Sequence, residues 1–379
     1  MPRITKEDLN NLIQDPSGKN RAETAEKISR EFSAESLSDS ERILAEDIFR
    51  LMVRDAEVRV RKALAKNLKQ TPLVPHDVAA TLARDVDDVA LPILKFSEVL
   101  NDEDLVDIIG DNADSVEKQR AIASRPHVSE IVSATLVDIG HEDVMVDLIS
   151  NDGAQISEHS LQKVVDEFGE NERIQKPMIE RNHLPITIAE RLVTLVSDRM
   201  RSELIARGHI PEGIVNAVMT QSQESATIGL LGDGAEERDV ELLVEHLHTN
   251  NRLTSGLILR ALCMGDVAFF EAALARRAGV SLINTRILIH DSGPFGLEAI
   301  YNKADMPKHF FPGIRAAIEV ARETDLDGGE RDRERYSRRM IERVLTQYGD
   351  LGVEFDSDDV DYLMGRMLQL PSERNLPQQ

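Results

Sequence analysis

The chain has 379 residues, with 45 Lys and Arg against 68 Asp and Glu and a formal net charge of −23. This length is enough for two or three domains with substantial cores, and the acidic balance argues against a nucleic-acid partner, which clustered basic residues would bind. One cysteine, Cys263, excludes an intramolecular disulfide and a cysteine-rich zinc site. The sequence has no apolar run of about 18 residues and shows neither a signal peptide nor a membrane span. We therefore expect a cytoplasmic protein with no membrane contact.

The first predicted elements are two amphipathic helices over residues 20–54. Ala25, Ile28 and Phe32 recur at helical spacing, and Ser38 to Glu41 form a capping box before a second apolar stripe. We expect residues 1–54 to cap the array that follows them.

A tandem register begins at about Asp55. Its clearest copies are Arg125-Pro126-His127-Val128, Arg181-Asn182-His183-Leu184 and Arg207-Gly208-His209-Ile210. The phased positions, separated by 28, 26, 28, 28 and 26 residues, are Leu73, Asn101, His127, Gln155, His183 and His209. Periods of this size are typical of helical solenoids, in which short helical pairs must stack to bury their apolar sides. The sequence therefore predicts an all-α fold in which residues 55–234 form degenerate 26–28-residue helical pairs, with the phased positions at equivalent turns.

The first unit of this register resembles a HEAT-like repeat. The similar segment is Asp55-Ala56-Glu57-Val58-Arg59-Val60-Arg61-Lys62-Ala63-Leu64. The resemblance implies that Asp55 and either Arg59 or Arg61 link neighbouring repeats. Later units depart from the pattern, as at Asp198-Arg199-Met200-Arg201, so the resemblance implies degenerate repeats.

The composition changes after about residue 235, since 10 of the 14 aromatic residues lie beyond position 260. Gly, Pro and Asp punctuate this part, and the expected helices are Leu253–Met264, Val267–Ala278, Ser281–His290, Pro294–Lys303, Pro307–Glu323, Glu330–Tyr348 and a last helix ending near Gln369. We expect a helical domain over 235–370, joined at Gly232-Asp233-Gly234, and a flexible tail over 371–379.

Two segments of this part carry a second resemblance. Ala261–Ala275 and His290–Leu297, together with the order of the whole chain, are similar to a family of alphaproteobacterial proteins known only as a domain of unknown function. The similarity covers most of the chain. It implies a bacterial, cytoplasmic, all-helical protein and assigns no chemistry.

The Arg-x-His turns are the first candidate site. A position repeated along a solenoid projects a line of side chains, so a ridge is predicted from Arg125, His127, Arg181, His183, Arg207 and His209. In the competing interpretation, these side chains bind the last carbonyls of helices. We expect no metal site, because equivalent atoms of adjacent repeats lie about 10 Å apart and zinc ligands must lie about 2 Å from one ion.

The second candidate is a small set of basic residues near the C-terminus. Its members are Arg331, Arg335 and Arg338 on one side of the predicted long helix, with Arg286 and His290 one helical turn apart. Arginines exposed on an acidic chain favour a small anionic ligand such as a nucleotide, whereas Glu334 four residues before Arg338 favours an ordinary surface pair. The neighbouring Asp291 and Ser292 cannot converge with His290 as a triad requires, so no catalytic residue and no cofactor is expected.

The leading hypothesis is a non-enzymatic interaction scaffold that presents an acidic solenoid surface to a protein, with the charge favouring a basic partner. The alternative is a regulatory protein that senses a small anionic ligand at the C-terminal arginine helix. A third hypothesis, a HEAT-like DNA glycosylase, is opposed by the net charge of −23 and the absence of Trp.

Overall fold

A computed structural model describes residues 17–34, 37–182, 184–231, 236–291, 293, 295–323, 338–343 and 346. Over these residues the chain is all-helical, as predicted, and its only β-type pairing is one isolated bridge between Val128 and Ala154. The chain divides into two compact units, Met1–Leu184 and Pro185–Gln379.

Short helices make up the first unit. The described ones are α1 (Gly18–Ser33), α2 (Asp39–Met52), α3 (Val58–Leu68), α4 (His76–Ala83), α5 (Asp87–Phe96), α6 (Asp102–Asp111), α7 (Val116–Ala123), α8 (Glu130–Ile139), α9 (Glu142–Ile149), α10 (Glu158–Phe168) and α11 (Glu172–Glu180). Odd-numbered helices pack in succession, α1 on α3, α3 on α5, α5 on α7, α7 on α9 and α9 on α11. Among even-numbered helices, α2 packs on α4, α6 on α8 and α8 on α10. The expected cap, α1 and α2, therefore continues the same packing pattern.

The predicted register matches the turns of this unit. Leu73, Asn101, His127 and Gln155 each lie between an odd-numbered helix and the even-numbered helix after it. His183 lies outside the described residues. Polar side chains cap the starts of α2, α6, α8 and α10. At α6, Asn101 accepts a hydrogen bond from the Asp104 amide at 2.9 Å. The N-cap of α4 is instead Pro75.

The start of α2 and the apolar stripe of α1 agree with the prediction. The Ser38 amide donates to Glu41 at 2.9 Å, within a capping box at the start of α2. The predicted apolar stripe of α1 is also present, because Ala25, Ile28 and Phe32 are buried.

Longer helices open the second unit. Its described α-helices are α12 (Ile186–Arg207), α13 (Glu212–Gly229), α14 (Glu237–Thr249), α15 (Ser255–Cys263), α16 (Val267–Ala278), α17 (Leu282–His290), α18 (Gly296–Lys303) and α19 (Phe311–Glu323). The prediction of short helical pairs as far as His209 is wrong, because α12 runs for 22 residues without a break. No Gly or Pro interrupts α12 between Ile186 and Arg207, so nothing ends it until Gly208, which adopts φ +65°. His209 therefore lies between two long helices.

A large apolar cluster lies in the second unit, built from residues of α13 onward. Phe269, Phe270 and Tyr301 are among its largest members, and Met340 and Ile341 also belong to it. The predicted helix α16 has the expected ends, with Asp266 at its N-cap and Gly279 at φ +61° after it. Residues 232–235 lie outside the described residues, so the domain boundary at 234 stays a prediction.

Long apolar helices are not a feature of the described structure. Among the helices of the described ranges, none combines the length and apolar character that crossing a bilayer requires.

Candidate partner-binding surface

The first unit carries an acidic band, which we define as the exposed Asp and Glu side chains of residues 87–172. The structure describes every residue in this range, and its exposed acids lie on each helix from α5 to α11 and in the loops between them. The basic residues Lys95, Lys118, Arg120, Arg125 and Lys163 are all buried or half-buried. Apart from histidine, every exposed ionisable side chain of this stretch is therefore acidic.

Several members of the band have basic partners. Lys62 lies 2.7 Å from Asp88, and Lys163 lies 3.0 Å from Asp138. Arg173 donates to Glu142 and to Asp143 at 2.7 Å each, and its hydrogen bond lowers the pKa of Asp143. These contacts reduce the net negative charge at Asp88 and on α8 and α9.

An acidic stripe on α6 keeps more of its charge. Glu103, Asp107 and Asp111 lie four residues apart along one exposed side of this helix. Arg84 approaches Asp107 only to 3.8 Å, and Glu103 and Asp111 have no ion pair within the described part of the chain. Each like-charge neighbour at this spacing costs the helix about 0.2–0.5 kcal/mol, and Asp111 opposes the dipole at the helix C-terminus. Glu103 lies in the first turn, where the dipole favours an acid, but helix stability does not account for Asp107 and Asp111.

The arginines of two phased turns link successive odd-numbered helices. Arg125, after α7, donates to the Leu94 carbonyl of α5 and, at 2.7 Å, to the Ser97 carbonyl. Its side chain is buried, and burial lowers its pKa. The predicted exposed ridge is therefore wrong for Arg125, because its guanidinium binds carbonyl groups at the end of the preceding odd-numbered helix.

Arg181 repeats this arrangement after α11. It donates at 2.8 Å to the Ile149 carbonyl of α9 and at 2.9 Å to the Ala154 carbonyl, and burial lowers its pKa. His127 is exposed, as are Arg207 and His209 in the second unit. The residues of the Arg-x-His turns therefore differ in burial, although they match in the sequence pattern.

Acidic and basic side chains form a second series of links. Arg21 donates to Asp55 at 2.7 Å, and this hydrogen bond lowers the pKa of Asp55. Arg61 donates to both carboxylate oxygens of Asp85, at 2.5 and 2.8 Å. Burial raises the pKa of Asp85, but the hydrogen bonds from Arg61 and the Val86 amide lower it by more, so the pKa lies below its ordinary value. Asp55 and Arg61 thus connect successive pairs, as the HEAT-like resemblance implied. Among the described residues, the side chain of Arg59 donates to Glu57 of its own pair instead.

Two turns of the register contact each other through their backbones. The Val128 amide donates to the Gly153 carbonyl at 3.2 Å, and the Gln155 amide donates to the Val128 carbonyl at 2.9 Å. A Cβ on Gly153 would lie 1.9 Å from the Pro126 carbonyl oxygen. Gly153 therefore permits the close approach that joins these turns.

In the second unit, Arg286 and His290 meet on a protein carboxylate. Glu271 is buried, and it accepts a bond from Arg286 at 2.7 Å while its other oxygen lies 2.5 Å from His290 Nε2. Arg286 also lies 2.5 Å from Glu237. The two predicted ligand-binding residues are thus brought together, and both lie against the carboxylate of Glu271.

The other predicted ligand-binding residues are the three arginines of the predicted long helix. Arg331 and Arg335 lie outside the described residues. Arg338 lies in the described helical segment 338–343 and donates to Glu342 at 2.9 Å.

A second buried carboxylate was missed in the sequence. Glu190 lies almost fully buried in α12, where it pairs with Arg252 and lies 2.9 Å from His246 Nε2. Burial lowers the pKa of Arg252. Glu190 and Arg252 are 62 residues apart, so no local pattern connects them. The acidic band, by contrast, could have been found by counting charges in a sliding window.

Among the described side chains, no group of three or more His, Cys, Asp or Glu is placed to hold a metal ion.

Comparison with known proteins gives a family. Neither a curated protein nor a solved structure matches the chain. A family model described as "Uncharacterised protein conserved in bacteria (DUF2336)" matches residues 89–354, from α5 into the C-terminal part of the second unit. The chain therefore belongs to this bacterial family.

Proposed function

We propose that the first unit is a HEAT-like solenoid that acts as a non-enzymatic interaction scaffold, with the acidic band as its binding surface for a basic protein segment. The observation that carries this proposal is the absence of any exposed Lys or Arg among residues 87–172, all of which the structure describes. Stacked helical pairs provide an extended surface on which such a segment can lie. A cytoplasmic location, expected from the sequence, stays part of the proposal.

The α6 stripe is the centre of this surface. Glu103, Asp107 and Asp111 repel one another along the helix, so a Lys- or Arg-rich segment relieves an unfavourable arrangement when it binds. Their field also steers a basic partner and raises its association rate at low ionic strength.

The anionic-ligand alternative has less support. Arg286 and His290 already contact Glu271, so a ligand anion must compete with a buried carboxylate for both. The remaining candidates, Arg331 and Arg335, lie outside the described residues.

A charge-matched pair of variants tests the proposal. Glu103→Gln, Asp107→Asn and Asp111→Asn together remove three charges from the α6 stripe. The control combines Glu23→Gln, Glu241→Gln and Glu298→Gln, which removes three exposed charges outside the band. Both proteins should fold, because surface substitutions change stability by about 0.5 kcal/mol or less each.

Binding of a fluorescent Lys- and Arg-rich peptide is then measured by anisotropy at several salt concentrations. The stripe variant should bind about tenfold more weakly, since each surface charge pair contributes about 0.2–1 kcal/mol, and the control should bind nearly as the wild type. Affinity capture from the native bacterium should lose the same basic protein with the stripe variant alone. Equal weakening in both variants would indicate only a general charge effect and would contradict a defined site.

A further inference from the structure

We infer that the distal part of the α12–α13 hairpin, residues 198–222, is an interface between two copies of this chain. Within this segment only Val215 and Met219 are buried. Apolar side chains stay exposed on both helices and in the turn, with exposed fractions of 52% for Met200, 42% for Ile210, 55% for Ile214 and 52% for Val218. An isolated helical hairpin buries little apolar surface, so this segment gains stability from additional helices.

The arrangement on α13 shows which side is available. Val215 and Met219 are buried and lie four residues apart, on one side of α13, and this helix packs against α12. Ile214 and Val218 precede them by one position each, so they point about 100° away around the helix. That direction is where a further helix must lie to bury them, as in a four-helix bundle made from two hairpins.

The charge balance of the segment favours a second copy as the occupant. Asp198, Glu203 and Glu212 balance Arg199, Arg201 and Arg207, and Arg201 lies 2.9 Å from Asp198 within α12. In a chain of net charge −23, copies repel each other over most of their surface, but this balanced segment allows close approach. A basic partner is instead attracted to the acidic band. A twofold axis would place the same apolar residues of both copies against each other, as closed dimers require.

The test uses the full chain and a matched control. Light scattering after size exclusion and sedimentation velocity should show a dimer for the wild type. Ile214→Glu with Val218→Glu should raise the dimer dissociation constant at least about 100-fold, because the dimer would bury unpaired carboxylates. The control, Ile283→Glu with Ile287→Glu, changes residues of the same type and spacing that are 71% and 63% exposed on α17, and it should stay a dimer.

Cysteine cross-linking tests the same interface without added charge. Cys263 is fully buried, so Val218→Cys supplies an accessible thiol, and a short bis-maleimide should join two chains covalently. Ile287→Cys should give no such product. A monomeric wild type, a dimer that survives in Ile214→Glu with Val218→Glu, or equal cross-linking at both positions would overturn the inference. If the wild type were a monomer and the hairpin variant lost binding of a different protein, the interface would be assigned to that protein and not to a second copy.

Discussion

The two units bury short apolar helices in different ways. From α3 to α11 the first unit has no helix longer than 11 residues, and polar links join successive odd-numbered helices. The second unit has longer helices at its start and gathers aromatic and aliphatic residues into one cluster. In the first unit the helices contact mainly helices near them in the sequence, so every pair needs its own fixing contacts, whereas one shared core can hold many helices at once. Three predictions test this difference.

The largest effect is expected for the buried arginine link of the first unit. Arg125→Ala leaves the Leu94 and Ser97 carbonyls without their charged donor, which should lower the free energy of unfolding by about 2–3 kcal/mol. Arg207→Ala changes the corresponding exposed arginine of the second unit and should cost no more than about 0.5 kcal/mol. Denaturant unfolding followed by circular dichroism measures both. Equal losses would show that the two turns are energetically alike.

The backbone contact between turns should give a smaller loss. Gly153→Ala places a methyl group against the Pro126 carbonyl, and the required backbone shift should cost about 1–3 kcal/mol. Gly110→Ala is the control in the same unit, because a methyl group added there on α6 would meet no other atom within 4 Å. It should raise stability by about 0.5–1 kcal/mol. If Gly153→Ala were neutral, the backbone bridge would not fix the spacing of these pairs.

Acid should give the most gradual change. Hydrogen bonds from Arg21 and Arg173 lower the pKa values of Asp55 and Asp143, so the unfolded chain binds protons at these carboxyls more tightly. Their stabilising contribution is complete above about pH 5 and is lost as the pH falls below about 4, through the native-state pKa values. Thermal melts from pH 7 to pH 3 should show this decline, and Asp55→Asn should make it shallower. A slope unchanged in Asp55→Asn would remove the Arg21–Asp55 link from the explanation.

The sequence predicted helix ends and register better than it predicted contacts. Ser38, Asp266 and Gly279 lie at the ends of their own helices, so the patterns that predict them are local. The sequence also predicted that Leu73, Asn101, His127 and Gln155 lie at equivalent turns, because a repeated spacing can be recognised within a single sequence.

Partners distant in sequence could not be predicted in the same way. The destination of Arg125, the contact of both Arg286 and His290 with Glu271, and the pairing of Glu190 with Arg252 all depend on how helices stack. The unbroken α12 was missed because the register suggested a turn where the local residues tolerate a helix.

The links of the first unit also bear on how its sequence can diverge. Arg125, Arg181, His141 and Asn151 all bind main-chain oxygens of an earlier part of the first unit. A carbonyl group occupies the same place whatever side chain its residue carries, so each link tolerates substitution at the residue that it reaches. Most of a helical pair can therefore change while the contacts that hold it against an earlier pair are preserved. Sequence similarity between the pairs can then fade everywhere except at the turns, where the linking side chains lie.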